Sequence, residues 1–245
     1  KNMSCCLNSF LKAKAFYVTC LQTKNQMAKK AKKALKKVWH FIWEDDSVWS
    51  WLVNIVLAFV LIKFMVYPVL GLLFGTPLPI VAVVSDSMEH KGTFDNWWRS
   101  CALCENAVCT QGMHYEELNI TYEQFRKFSL KNGFNKGDIM VLFGKSGEEL
   151  KVGDVIVFQA GRPDPIIHRI VRKWEADGDY RFQTKGDNNP KSITDKSLYE
   201  LEIEAKNIKG KAVLRVPYLG WVKISFVCGT RMIIAGESFI GCLRG

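Results

Sequence analysis

The longest apolar run of the chain extends from Trp49 to Phe74, WSWLVNIVLAFVLIKFMVYPVLGLLF, with Asn54 and Lys63 as its strongly polar residues. A helix needs roughly 20 such residues to cross a bilayer. The apolar stretch of a cleaved secretion signal is typically about 7 to 15 residues, and this run exceeds that. The pattern predicts an uncleaved transmembrane helix over residues 49–74. Pro68 kinks or ends it, and Trp49, Trp51 and Tyr67 are amphipathic aromatics that settle at membrane interfaces.

Past Pro77-Leu-Pro79 the helical signal gives way to short β-branched runs between Gly, Asp and Pro turns. Ile80 to Val84 reads as a buried strand that delivers Ser85-Asp-Ser87-Met88 to its end. Lys136-Gly-Asp-Ile-Met-Val-Leu142 and Val152-Gly-Asp-Val-Ile-Val-Phe158 resemble each other, each a Gly-Asp turn feeding a strand. Ile166 to Val171, Tyr180 to Thr184 and Ala212 to Val216 add further strands. Residues 91–135 carry helical pieces, such as Tyr115 to Leu130, and read as a partly helical inserted cap. The expected fold is mainly β (α+β), a domain over residues 75–223 behind one N-terminal transmembrane helix. The tail over 224–245 is apolar but broken by Arg231, Gly236 and Glu237, which suits an amphipathic stretch on the membrane or a packed helix better than a second span.

The formal charge of +10 does not form a stripe through this domain, so it gives no support to nucleic-acid binding. Much of it sits in Met27-Ala-Lys-Lys-Ala-Lys-Lys-Ala-Leu-Lys-Lys37, shortly before the apolar run, and no comparable block follows that run directly. This asymmetry predicts a cytoplasmic N-terminal segment over 1–48 and a domain on the exterior side. Residues 1–26 fit no element, and Met27 opens what looks like a natural start, so the first 26 residues read as an upstream extension. Lys63 within the span snorkels or faces a polar partner.

Eight cysteines do not form the dense framework of a small disulfide protein. Cys101, Cys104, Cys109 and His114 have the spacing of a small zinc knuckle with one Cys and His exchanged. A disulfide among two of the three cysteines, or free thiols, is the preferred reading, and no cofactor is expected. Asn119-Ile-Thr121 is a glycosylation triplet.

A serine peptidase needs a hydroxyl, a base, a group that orients the base, and donors for the oxyanion. Of the four histidines, His40 precedes the span, His90 and His114 lie in turn or insert contexts, and His168 stands in an apolar β run. A lone strand histidine is more often structural. Asp187, in Lys185-Gly-Asp-Asn-Asn, and Asp195, before Leu198-Tyr199, are two carboxylates able to orient an imidazole.

In this order behind a membrane helix, these pieces resemble the type I signal peptidases of the archaeal and endoplasmic-reticulum branch. The resemblance rests on Ser85-Asp-Ser87-Met88-Glu89, the two Gly-Asp strands, Ile167-His168-Arg169-Ile170, and Lys185-Gly-Asp187-Asn-Asn with Asp195 before Leu198-Tyr199. It runs from the anchor to about Lys223, and Phe74-Gly-Thr-Pro-Leu-Pro-Ile80 looks archaeal. It implies a catalytic domain of the signal-peptidase type in which Ser87 is nucleophile and His168 base. Asp195 is then the orienting acid, Asp187 a second needed carboxylate, and Ser85 assists the Ser87 N–H in the oxyanion hole. Asp86 stands where many relatives carry glycine.

The implied activity is cleavage of signal peptides from exported preproteins after small residues, in the cell membrane or the endoplasmic-reticulum membrane. The peptide would lie along Ile80 to Val84 and Ile139 to Phe143, against Val81, Val83, Val84, Asp86, Met88, Ile139 and Val141. Implied partners are those signal peptides, the lipid bilayer, and the translocation channel or accessory membrane subunits. Two rivals are a self-processing serine peptidase of the repressor type, which uses a lysine base, and a tethered peptide-binding module that has lost catalysis.

Overall fold

The computed structural model describes residues 26–235 except 28 and 106, together with 238, 241 and 242. The expected upstream extension, with Cys5, Cys6 and Cys20, therefore lies outside the described residues apart from its last position. The chain divides into two compact units, residues 1–66 and 67–245.

In the first unit a basic helix over residues 29–43 is followed, after four residues, by the start of an apolar helix. That helix runs Val48–Phe74 and is long and apolar enough to cross a membrane. Ser47 caps it, its hydroxyl accepting from the Ser50 N–H at 3.2 Å. The two polar side chains near its start have a use. Ser50 Oγ donates to the Phe41 carbonyl at 2.5 Å and Asn54 Nδ2 to the Ile42 carbonyl at 2.8 Å, so they close the open C-terminal end of the basic helix. The segment Ile62–Val66 is a π-turn. Pro68, which lacks the N–H that would bond Phe64, accounts for this widened turn.

The second unit is built on a seven-stranded antiparallel sheet. Its strands are β1 (Ile80–Ala82), β4 (Ile139–Phe143), β5 (Val155–Phe158), β6 (Ile166–Ala176), β7 (Asp179–Lys185), β10 (Ile203–Glu204) and β11 (Ile208–Val216). The spatial order is β1-β4-β11-β5-β6-β7-β10. Two small hairpins flank it, β2 (Cys101–Cys104) with β3 (Ala107–Thr110) and β8 (Thr194–Asp195) with β9 (Leu198–Tyr199).

All four residues of β5 are buried, and their alternation divides them between two cores. Val155 and Val157 pack with Val83, Met88, Phe134 and Met140, while Ile156 and Phe158 pack with Leu150, Ile170 and Phe182. The Gly-Asp turns behave as the repeat suggested. Asp138 accepts the Asn135 N–H and pairs with Arg215, and Asp154 accepts the Lys151 N–H and pairs with Lys211. Arg215 and Lys211 both belong to β11, so each turn is fastened to the strand that joins them.

The insert differs from the expected helix over Tyr115 to Leu130. It holds short helices Phe94–Trp98, Gln111–Glu117 and Tyr122–Phe125 around the β2–β3 hairpin. Two caps break the helix. Asn119 has φ of 61°, with Ile120 N–H on the Tyr115 carbonyl and Asn119 N–H on the Glu116 carbonyl, a Schellman ending. Thr121 then opens the next helix with a full capping box. The glycosylation triplet thus consists of residues with capping duties. Trp97, Trp98, Tyr115 and Phe125 make a third, aromatic core with Val171 of β6, so the region is a wall of the domain and not a lid over it.

Of the tail, Trp221–Ala235 is a helix that turns Ile224 and Cys228 inward and leaves Val222 and Phe226 exposed. Cys228 forms a disulfide with Cys242. The packed-helix expectation describes this segment.

Candidate active site

β1 ends where the chain must leave the sheet, and the turn that follows is pinned on both sides. Val83 and Met88 are buried in the first core, whereas Val84, Ser85 and Asp86 are exposed and Ser87 is half-buried between them. Two close approaches hold the turn. A side chain at Gly133, whose φ is 64°, would strike the Met88 carbonyl at 2.2 Å, and one at Gly186 would meet the Ser87 carbonyl at 2.8 Å. Asn188 completes the clamp, its N–H on the Ser87 carbonyl at 2.8 Å and its side-chain amide on the Asp86 carbonyl at 3.0 Å. Ser87 Oγ is therefore fixed by backbone that is itself fixed.

His168 comes from the middle of β6, opposite Ile156 of β5, and is buried. Its Nε2 lies 2.9 Å from Ser87 Oγ and its Nδ1 lies 2.5 Å from Oε1 of Glu200. A carboxylate accepts only, so Nδ1 carries the proton and Nε2 presents its lone pair to the Ser87 hydroxyl. Glu200 is fully buried and held on three more bonds. Thr184 Oγ1 donates to Oε1 at 2.9 Å, Ile193 N–H donates to Oε2 at 2.7 Å, and the Glu200 carbonyl accepts the Thr184 N–H. Ser85 Oγ stands 3.1 Å from Ser87 Oγ.

The two expected orienting aspartates stand elsewhere. Asp195 is exposed at the head of the β8–β9 turn, where its carboxylate accepts the Ser197 N–H at 2.7 Å, an Asx turn. Asp187 is fully buried, and its lone pairs are engaged with other partners. Oδ1 accepts from Arg169 Nε and from Tyr115 OH, each at 2.9 Å; Oδ2 accepts from Arg169 Nη2 at 2.7 Å and His90 Nε2 at 2.9 Å. Burial pushes its carboxyl up, but the Arg169 charge and the bonds from His90 and Arg169 outweigh burial and hold it well below the usual range. His90 stacks on Trp97 at 3.7 Å, and burial lowers its basicity. Arg169 lies 4.7 Å from the Phe125 ring and also donates to the Ser129, Leu130 and Gly153 carbonyls.

Adjacent residues of a strand point to opposite faces, and this divides the His-Arg pair. His168 turns to Ser87 and Glu200, and Arg169 to Asp187 and the insert. Lys185 is buried beside them, donating to Gln111 Oε1 at 2.7 Å and the Gly186 carbonyl at 3.1 Å. Burial lowers its pKa to about 7 against the opposing pull of Asp187 and Glu200.

The expected peptide-binding residues divide too. β1 is an outer strand of the sheet, but β4 pairs with β1 on one side and β11 on the other, so Ile139 to Phe143 offer no free backbone edge. Ile80, Ala82, Ile139 and Val141 pair across β1 and β4 and share a half-buried apolar face. Val81 packs toward the core, where Val83 and Met88 are buried.

The zinc-knuckle set is not gathered. Cys104 and Cys109 are joined as a disulfide, and Cys101 is exposed on the other face of β2. Cys104, His114 and Glu117 do bring ligand atoms within 4.8 Å of one another. The Cys104 sulfur is committed to the disulfide, so it is no thiolate ligand.

No protein-family model matches the chain. Similarity to curated proteins is clear over 101 residues, 39% of this chain. It is 37% identical there to the signal peptidase complex catalytic subunit SEC11C of Homo sapiens, covering 52% of that protein. The same span is 37% identical to the catalytic subunit SEC11 of Pyricularia oryzae and 36% identical to that of Colletotrichum graminicola, covering 58% of each. The chain spans about half the length of the curated relatives it matches. Over that span, this protein is a homologue of signal peptidase complex catalytic subunits.

Proposed function

We propose that the chain is a membrane-anchored serine endopeptidase that removes N-terminal signal peptides from exported preproteins after small residues. The line Glu200–His168–Ser87 carries the reading. It joins a buried acceptor, an imidazole with a defined tautomer and a hydroxyl at the end of a strand, and the homologues bear a name for the same activity.

In this reading Ser87 Oγ attacks the scissile carbonyl while His168 Nε2 takes its proton, and Glu200 stabilises the imidazolium that forms. The Ser85 hydroxyl donates to the developing oxyanion, a contribution of about 3 kcal/mol for one such donor. His168 returns the proton to the leaving amine, and water releases the acyl-enzyme by the reverse path. The substrate extends along the free edge of β1, its backbone pairing as an added strand. Ile80, Ala82, Ile139 and Val141 make a shallow apolar floor that excludes bulky residues. The lysines before Val48–Phe74 favour a cytoplasmic N-terminus and a peptidase domain on the exterior side of the cell membrane or the endoplasmic-reticulum membrane. The translocation channel and accessory membrane subunits are the partners this function calls for.

The decisive experiment is cleavage of a radiolabelled preprotein by detergent-solubilised wild type and Ser87→Ala. The variant is expected to retain the wild-type melting temperature and to release no mature product; cleavage that persists overturns the assignment.

A further inference from the structure

The basic helix over residues 29–43 sorts its side chains by face. At about 100° per residue, Ala34, Leu35, Val38 and Ile42 fall within about 60° of Ala31. Lys29, Lys30, Lys32, Lys33, Lys36 and Lys37 all lie about 100° or more from it, and Trp39 and Phe41 stand at the two seams. The apolar side has no partner among the described residues: Leu35 is 70% exposed, Val38 53% and Trp39 60%. A topology signal needs the lysines but not this segregation.

We propose that this helix lies in the bilayer interface, with its Leu35–Val38–Ile42 face among the acyl chains and its lysines on anionic phospholipid headgroups. Two observations select that occupant. The apolar helix begins only four residues later, and Ser50 and Asn54 bond back to the Phe41 and Ile42 carbonyls, so the basic helix is held where the span enters the membrane. Six lysines then face a surface whose phosphates complement them, the pattern of an interfacial helix. The proposal rests on reading Val48–Phe74 as a span.

The test uses the full chain with Cys5, Cys6, Cys20 and Cys101 changed to Ser, reconstituted into vesicles containing bromine-labelled acyl chains. An environment-sensitive fluorophore is placed on Leu35→Cys, Val38→Cys, Lys33→Cys or Lys37→Cys. Labels at 35 and 38 are expected to be quenched in vesicles with one-third phosphatidylserine, and labels at 33 and 37 to remain bright. In pure phosphatidylcholine the quenching at 35 and 38 is expected to fall, and each Lys→Gln change to shift the bound fraction by about fivefold. Equal quenching on both faces, quenching indifferent to lipid charge, or bright labels at 35 and 38 in both vesicles each overturn the proposal. Such an unquenched result includes the case in which another protein subunit covers this face. A label on Phe59→Cys reports the span independently: quenched there but bright at 35, the interfacial helix fails alone; bright at both, the span fails with it.

Discussion

Asp187 and Glu200 are carboxylates with no exposed surface, lying close in sequence and reached by neighbouring residues of β6, and they are held in opposite ways. Asp187 faces a guanidinium that is always charged, and all its side-chain bonds come from groups of the wall: Arg169, His90 and Tyr115. Glu200 faces neutral donors and a histidine whose other nitrogen touches a hydroxyl. A fixed cation saturates a buried acid and leaves it structural. An imidazole leaves it an unfinished task, because the charge it would balance exists only while Ser87 reacts.

That contrast is open to attack. Its largest expected consequence is for Glu200→Gln, which removes the preference for the Nδ1–H tautomer. The rate of preprotein cleavage should fall about 10³- to 10⁴-fold with the fold retained. A rate within tenfold of wild type would return Glu200 to a packing role. Asp187→Asn should act on stability first, by about 3–5 kcal/mol in chemical unfolding, since it leaves Arg169 buried without its counter-charge.

Asp187 also sets a pH dependence. Folding holds its carboxyl below the ordinary value, so the stability it contributes is present above that value and is lost as pH falls below about 4. Stability curves of wild type and Asp187→Asn should therefore converge on the acid side; parallel curves would show that the ion pair contributes little. The smallest effect belongs to Asp195→Ala, expected to leave cleavage within twofold and stability within about 0.5 kcal/mol. A large activity loss there would restore it as the orienting acid.

The sequence announced much of the sheet, because turn chemistry and β-branched runs are local. The Gly-Asp repeat, the strand before Ser85 and the His168 strand all stand where the pattern puts them. Ser87 and His168, 81 residues apart, meet as a hydrogen-bonded pair that no local signal specifies. Glu200 escaped notice because the resemblance directed attention to aspartates. A local clue existed: in Leu198-Tyr199-Glu200 burial alternates, placing an acid on the inward parity of a strand, where a charge needs a partner. The insert was misjudged for another reason. Its helical composition was visible, but two caps at Asn119 and Thr121 cut it, and its aromatic contacts with Arg169 and Asp187 are long-range.

The position of β11 has a bearing on when the protein becomes active during synthesis. β4 and β5 leave the ribosome early, yet they do not pair with each other; β11, made some fifty residues after β5, slides between them and clasps both through Arg215 and Lys211. Until that strand emerges the sheet is two unjoined pieces, with Ser87 on one side of the gap and His168 on the other. A nascent peptidase is thereby kept from cutting at the membrane before its own translation is nearly complete.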